Sequence, residues 1–283
     1  MEEKDLLQKF IKDALLEDIG DGDHTSLSTI PEGMQGEAQL LIKEEGVLAG
    51  LSVGLEIFKT VDPQLQIEVL INDGADVKPG DVALKVKGSV YSILTSERLV
   101  LNTMQRMSGI ATTTRRITKL LDSTGTKVLD TRKTTPNMRF LEKAAVKIGG
   151  GVNHRFGLYD MILIKDNHVD YAGGIKEALN AARNYIKEKN KNIQIEIEVR
   201  NLSELQEVIA SGQVDRILLD NFDFETLREA VRLVAGKFVT EASGGITEEN
   251  VLEYARCGVD YISMGALTHS VKSLDMSLKA VRN

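Results

Sequence analysis

Charged and glycine-rich clusters follow short apolar runs in the second half of this chain, and their types limit the chemistry open to it. Between Asp130 and His168 stand seven Lys or Arg residues against four acids, although the whole chain carries a net charge of -7. Asp130-Thr-Arg-Lys-Thr-Thr-Pro places Arg132 and Lys133 directly behind an apolar run. Arg132 offers a planar fork for a carboxylate or phosphate, and Lys133 a compact point charge. Gly149-Gly-Gly-Val-Asn-His-Arg joins a glycine-rich turn to His154 and Arg155. Lys165 ends the run Met161-Ile-Leu-Ile. Glu196 and Glu198 share one face of a strand, because side chains alternate with period two. Either of them, with Asp220, could hold Mg2+, which prefers oxygen ligands. Glu241-Ala-Ser-Gly-Gly and Met264-Gly-Ala-Leu-Thr-His269 have the character of phosphate-binding turns, with Ser243, Gly244, Gly245 and Gly265 presenting backbone N–H groups. The four histidines, His24, His154, His168 and His269, form no zinc pattern. No P-loop motif occurs. The chemistry that fits is that of an enzyme acting on phosphorylated, carboxylated small molecules with a divalent metal.

Such residues need elements that bring them to one place. Up to about Gly109, an amphipathic opening helix, with Leu6, Leu7, Phe10, Ile11, Ala14 and Leu15 at helical spacing, precedes short strands broken by Gly and Pro. A long helical pattern then covers roughly Ser92 to Leu121. Beyond it, apolar runs alternate with helical patterns. The runs are Lys127–Asp130, Met161–Ile164, Ile193–Val199, Arg216–Leu219, Phe238–Glu241 and Asp260–Ser263. Alternation of this kind implies parallel βα units with right-handed crossovers. Nearly every run ends in reactive side chains. A βα barrel opens all its strand ends on one face, whereas a doubly wound sheet uses only those at its switch point. The barrel is therefore the expected form.

The acidic balance argues against a nucleic-acid backbone as partner, which calls for a basic excess or stripe. A single cysteine, Cys257, forms no intramolecular disulfide and fits a reducing compartment. The opening Met1-Glu-Glu-Lys-Asp-Leu-Leu lacks signal-peptide character, and no apolar run approaches a membrane span. A cytoplasmic protein without membrane or nucleic-acid partners is the expectation.

The same residues carry a resemblance to the quinolinate phosphoribosyltransferases. The matching segments run in order along nearly the whole chain. They are Glu17–Ser26, Glu97-Arg98 with Asn102 and Ser108–Thr112, Asp130-Thr-Arg-Lys-Thr, Gly149–Arg155, Leu163–His168, Leu219-Asp-Asn221, Glu241–Ile246 and Gly265–His269. The resemblance implies an α/β fold: an N-terminal α/β sandwich lobe followed by an incomplete, open βα barrel. The expected lobe is 1–110, joined by 271–283, and the expected barrel is 111–270. It implies transfer of a phosphoribosyl group from phosphoribosyl pyrophosphate to quinolinate with decarboxylation. Nicotinate mononucleotide, pyrophosphate and CO2 are the products, a step of de novo NAD biosynthesis. It also implies Mg2+ and a homodimer, or a higher oligomer, with shared active sites.

Carried over by motif, Arg132, His154, Arg155 and Lys165 would surround quinolinate, with Arg98 reaching in from the other subunit. Lys133 would lie near the pyrophosphate. Glu198 and Asp220 would serve the metal and the ribose hydroxyls. Ser243, Gly244, Gly245, Gly265 and His269 would take the phosphate end. Lys133, Lys165, Glu198 and Asp220 would carry the catalysis. One departure is Asn137, where the family often has Gly; Asn tolerates a left-handed backbone.

A related transferase of the same fold with another acceptor, such as the molybdenum-operon homologue, is the alternative. A carrier-domain reading of Asp73-Gly-Ala-Asp-Val-Lys-Pro-Gly-Asp81 fails, because Lys43 lacks the flanking strands of a modifiable hairpin.

Overall fold

A computed structural model describes residues 3–281. In chain order the elements begin with α1 (Glu3–Ile19), α2 (His24–Thr29), β1 (Gln35–Ile42), β2 (Gly46–Val47), α3 (Leu51–Val61) and β3 (Gln66–Val69). Then come β4 (Asp76–Val77), β5 (Val82–Ser89), α4 (Val90–Leu121), β6 (Lys127–Leu129), α5 (Arg139–Ile148) and β7 (Met161–Ile164). They continue with α6 (Asp166–Ala172), α7 (Ile175–Glu188), β8 (Gln194–Val199), α8 (Leu202–Ser211), β9 (Arg216–Asp220) and α9 (Phe224–Val234). The last are β10 (Val239–Ser243), α10 (Val251–Arg256), β11 (Tyr261–Ser263), α11 (Ala266–His269) and β12 (Met276–Ala280).

The chain divides into two compact units. The first holds the residues up to Arg115, the segment Thr134–Gly150, and everything from Leu267 onward. Its antiparallel sheet has the order β12-β1-β5-β3. Period-two patterning builds it: Ala38, Leu40 and Ile42 of β1 are buried, as are Leu84 and Val86 of β5 and Met276 and Leu278 of β12. The register pairs Leu40 with both Leu84 and Leu278. Helix α3 buries Leu51, Val53, Ile57 and Phe58 along one side. Its first N–H groups are taken by Asp73, whose Oδ1 accepts from Leu51 N at 2.8 Å. The Asp73–Asp81 segment thus serves as a helix cap and turn. Gly109 of α4 lets the chain near Lys272 pass close by: a Cβ there would lie 2.2 Å from the Lys272 carbonyl oxygen. Asn137 takes the left-handed backbone expected of it, with φ 63°.

Within this unit, Arg106 donates from Nε and Nη2 to Glu142 Oε1 (3.0 and 2.8 Å) and from Nη2 to the Thr268 carbonyl (2.6 Å). Glu142 Oε2 accepts from Thr135 N at 3.2 Å. Glu142 is fully buried.

The second unit comprises Arg116–Lys133 and Gly151–Ala266. Its six parallel strands run β6-β11-β10-β9-β8-β7. Strands β7 to β11 are neighbours in chain order and β6 lies beside β11, which excludes a doubly wound order. β6 and β7 share no ladder; an isolated bridge, Leu129 to Val152, stands near the gap. Strands β8 and β10 are buried on both faces: Ile195, Glu196, Ile197, Thr240, Glu241 and Ala242 are all inaccessible. Glu196 of β8 and Glu241 of β10 meet at one imidazole although β9 lies between them. With the strand order and the bridge near the gap, that convergence on one inner face fits an open βα barrel. Asn201 and Asp223 cap α8 and α9 through the N–H groups of Glu204 and Thr226. The Lys165-Asp-Asn-His stretch turns directly into α6, with His168 Nδ1 accepting from Lys165 N at 3.0 Å. Cys257 is buried and free. No described helix is long and apolar enough to cross a membrane.

Candidate active site

The C-terminal ends of β6 to β11 collect most of the residues singled out from sequence. Arg132 and Lys133 follow β6, Lys165 follows β7, Glu198 ends β8, Asp220 ends β9, and Ser243 ends β10. In a βα ring this is the face on which reacting groups converge. Arg98 and His269 belong to the first unit. Arg98 is exposed on α4, and His269 ends α11.

Arg155 is half-buried, and its guanidinium donates to the Met161 carbonyl at 3.2 Å. Its pKa is lowered, first by burial and then by the neighbouring positive charge of Arg132. Two guanidiniums held near each other against repulsion form a seat for an anion with more than one negative group.

Lys165 Nζ lies 3.5 Å from Glu198 Oε2. The Glu198 carboxyl is raised by burial, lowered by Lys165, and raised again by the negative charges of Asp220 and Asp166. The Glu198, Asp220 and Asp166 carboxylates are thus close enough to interact. An oxygen-rich corner with surplus negative charge suits a hard divalent cation. On β9, Asp220 Oδ2 accepts from Asn221 Nδ2 at 2.6 Å. Asn221 N donates to the Ser243 carbonyl at 2.9 Å. Gly244, at φ 98°, has no room for a side chain: a Cβ would lie 2.2 Å from Asn221 Oδ1. Asn250 shapes the rest of this turn, accepting from Thr247 N and donating to the Gly245 carbonyl. Gly245, at φ 61°, is exposed.

Beneath these ends lies a layer that the sequence did not reveal as such. His154 has a side chain only 7 % exposed. Its Nε2 is 2.9 Å from Glu196 Oε2 and 3.5 Å from Glu241 Oε2. The closer approach is bent from ideal alignment, and neither Glu196 oxygen has an aligned donor. Arg216 Nη1 reaches Glu241 Oε2 at 3.1 Å, while its guanidinium stacks 4.7 Å from the Tyr261 ring centre. Both carboxyls are raised to about 7, chiefly by burial. For Glu241 the adjacent Glu196 charge adds to the rise; for Glu196 the Arg216 charge opposes it. Two carboxylates so placed cannot both ionise easily, and one proton is shared between them.

The spacing of His154, Glu196 and Glu241 would also suit a metal ion. The hydrogen bonding argues otherwise. A metal-bound imidazole donates its second N–H to a partner. His154 Nδ1 instead accepts, from Arg155 N at 2.7 Å. Nε2 must then carry the ring proton and cannot serve as a ligand. Among the other histidines, His168 caps α6 and His24 faces Asp21 at the surface. Sequence patterning named Glu196 but missed its burial, and missed Glu241 and Arg216 as interior charges.

Comparison with known proteins gives a consistent set of matches. The family model described as quinolinate phosphoribosyl transferase, C-terminal domain, matches residues 110–279, and its N-terminal counterpart matches 23–108. The chain is 46% identical to "Quinolinate phosphoribosyltransferase [decarboxylating] 2b, mitochondrial" of Nicotiana tabacum, covering 96% of this chain and 82% of that protein. It is 45% identical to "Probable nicotinate-nucleotide pyrophosphorylase [carboxylating]" of Bacillus subtilis (strain 168), over 96% of this chain and 92% of that protein. The crystal structure of NadC from Streptococcus pyogenes aligns with TM-score 0.92 at 40% identity, covering 98% of this chain and 97% of that one. The nicotinate-nucleotide pyrophosphorylase of Francisella tularensis aligns with TM-score 0.93 at 39% identity, covering 99% and 98%.

Proposed function

This chain belongs to the quinolinate phosphoribosyltransferase family, and from that membership we propose how its own residues divide the work of the reaction. The enzyme is a decarboxylating pentosyltransferase of de novo NAD biosynthesis. The quinolinate ring nitrogen attacks the anomeric carbon of phosphoribosyl pyrophosphate, and the bond to pyrophosphate breaks. The C2 carboxylate then leaves as CO2, its electron pair stays at C2 beside the new pyridinium charge, and a proton takes its place.

The observation that carries the reading is the seat made by Arg132 and Arg155, two guanidiniums near enough to repel. Quinolinate has two adjacent carboxylates, so it balances both at once and is oriented by them. Lys165 completes the cationic side, and His154 stands behind Arg155. Glu198 and Asp220 would hold Mg2+ and the ribose hydroxyls; their oxygen donors fit that ion. When bound, Mg2+ supplies positive charge to the departing pyrophosphate. Lys133 adds a second cation on that side, and either it or Lys165 stabilises charge as it develops. Ser243, Gly244, Gly245 and Gly265 take the 5′-phosphate, together with His269. In this reading the N-terminal α/β lobe is 1–110 with 271–283, and the barrel-like catalytic domain is 111–270. The enzyme works as a homodimer, or a higher oligomer of such dimers, in which Arg98 completes the neighbour's site. The buried single thiol fits a cytoplasmic location.

The test is a coupled assay with quinolinate, phosphoribosyl pyrophosphate and Mg2+, following nicotinate mononucleotide and CO2. Nicotinate replaces quinolinate in a parallel run. Turnover of quinolinate alone, lost in Arg132→Ala, supports the dicarboxylate seat. Folded protein that leaves quinolinate untouched would move the assignment to a transferase with another acceptor.

A further inference from the structure

Arg155 is held from behind as well as in front. Its backbone N–H donates to His154 Nδ1 at 2.7 Å, so that nitrogen carries no proton. The backbone N–H of His154 is itself fixed by Asp130 Oδ1 at 2.9 Å. The remaining ring proton sits on Nε2 and faces the Glu196 and Glu241 carboxylates at 2.9 and 3.5 Å. Arg216 closes the group from the other side, 3.1 Å from Glu241 Oε2 and 4.0 Å from Glu196 Oε1. Glu196 and Glu241 are wholly inaccessible and stand in the middle of their strands.

Both ring nitrogens of His154 therefore face protein groups. The opposite tautomer would set a ring N–H head to head with the Arg155 N–H, and would take from Nε2 the proton that the ionised member of the carboxyl pair accepts. Both changes are unfavourable in an interior closed to bulk solvent. We propose that Glu196 and Glu241, steadied by Arg216, are positioning residues. They hold His154 in the tautomer whose Nδ1 anchors the Arg155 backbone, and so aim the Arg155 guanidinium at the substrate dicarboxylate. The inference rests on the placement of Arg155 at quinolinate given above. A buried carboxylate that orients a histidine is a familiar way to fix a ring nitrogen. Here the beneficiary is the next residue along the chain.

Two measurements test this. In protein carrying 15N-labelled imidazoles, two-bond 1H–15N correlations report which ring nitrogen of His154 bears the proton, without turnover; the His154 signals are identified by their loss in His154→Gln. Nδ1 unprotonated and Nε2 protonated is the expected result; a protonated Nδ1 overturns the proposal. In steady-state assays, Glu196→Leu removes the acceptor, and the KM for quinolinate should rise about tenfold or more, while that for phosphoribosyl pyrophosphate moves less than about twofold. Glu196→Gln keeps an oxygen facing Nε2 and should return the quinolinate KM to within about threefold of wild type. Equal shifts in both KM values, or no recovery in a folded Gln variant, would mean a merely structural role. Absence of wild-type quinolinate turnover, by contrast, would count against the assigned reaction and leave the tautomer result standing.

Discussion

The shared proton between Glu196 and Glu241 has a thermodynamic signature. Their carboxyls are held at about 7 against an ordinary 4.5, so the folded protein keeps a proton that the unfolded chain releases. Raised carboxyl values contribute stability that is complete below about 4.5 and lost as pH rises through about 7. Glu241→Gln mimics the protonated form and cannot titrate. Thermal unfolding followed across that window should show a smaller fall in Tm for the variant than for wild type; parallel curves would refute the shared proton. These residues also show where sequence reading ran out. Gln194-Ile-Glu-Ile-Glu-Val reads as a strand with one apolar and one polar face, and the polar face is ordinarily taken as solvated. Both faces are buried here, because the ring closes over one and helices cover the other. The cations Arg132 and Lys165 were legible because they stand where apolar runs stop, and Arg155 because it closes a glycine-rich turn. Glu241 was read as part of a phosphate turn, yet it lies two residues inside its strand.

At the level of elements, the strand-end turns depend on tight backbone contacts. Gly244→Ala puts a methyl group against Asn221 at a left-handed φ, so the turn must shift. The expected outcome is a KM for phosphoribosyl pyrophosphate raised about tenfold or more, with quinolinate affinity little changed; binding isotherms for the two substrates separate them. The Arg106–Glu142 pair ties α4 to α5, to Thr135 and to the carbonyl of Thr268. Glu142→Ala leaves these donors without their acceptor and should lower unfolding stability by about 3 kcal/mol in urea titration. Glu142→Gln should lose less. The alternation of strands and helices was readable from periodicity, as was the curled ring from the polar strand ends. Helix α6 was not, since Asp-Asn-His is poor helix sequence and the His168 contact that starts the helix is visible only in three dimensions. Nor does local pattern reveal that Thr134–Gly150 packs with the first unit, because such grouping depends on contacts distant in sequence.

For the whole molecule, the proposed sharing of sites between subunits makes a quantitative demand. Arg98→Ala and Lys165→Ala would each be inactive alone. Unfolded together in equal amounts and refolded, they should recover about a quarter of wild-type activity, because half the dimers are mixed and each mixed dimer has one intact site. No recovery would rule out a site built from two subunits. The sheet of the first unit carries a further consequence. Ile42 of β1 pairs with Met276 of β12, so one edge of an early strand waits for a partner made ~230 residues later. At synthesis rates of roughly 5–20 residues per second, that edge stays open for on the order of ten to fifty seconds on the ribosome. An open edge rich in Leu and Ile invites pairing with other nascent chains. The growing polypeptide is therefore most vulnerable to association, and most dependent on chaperones, in the interval before β12 emerges.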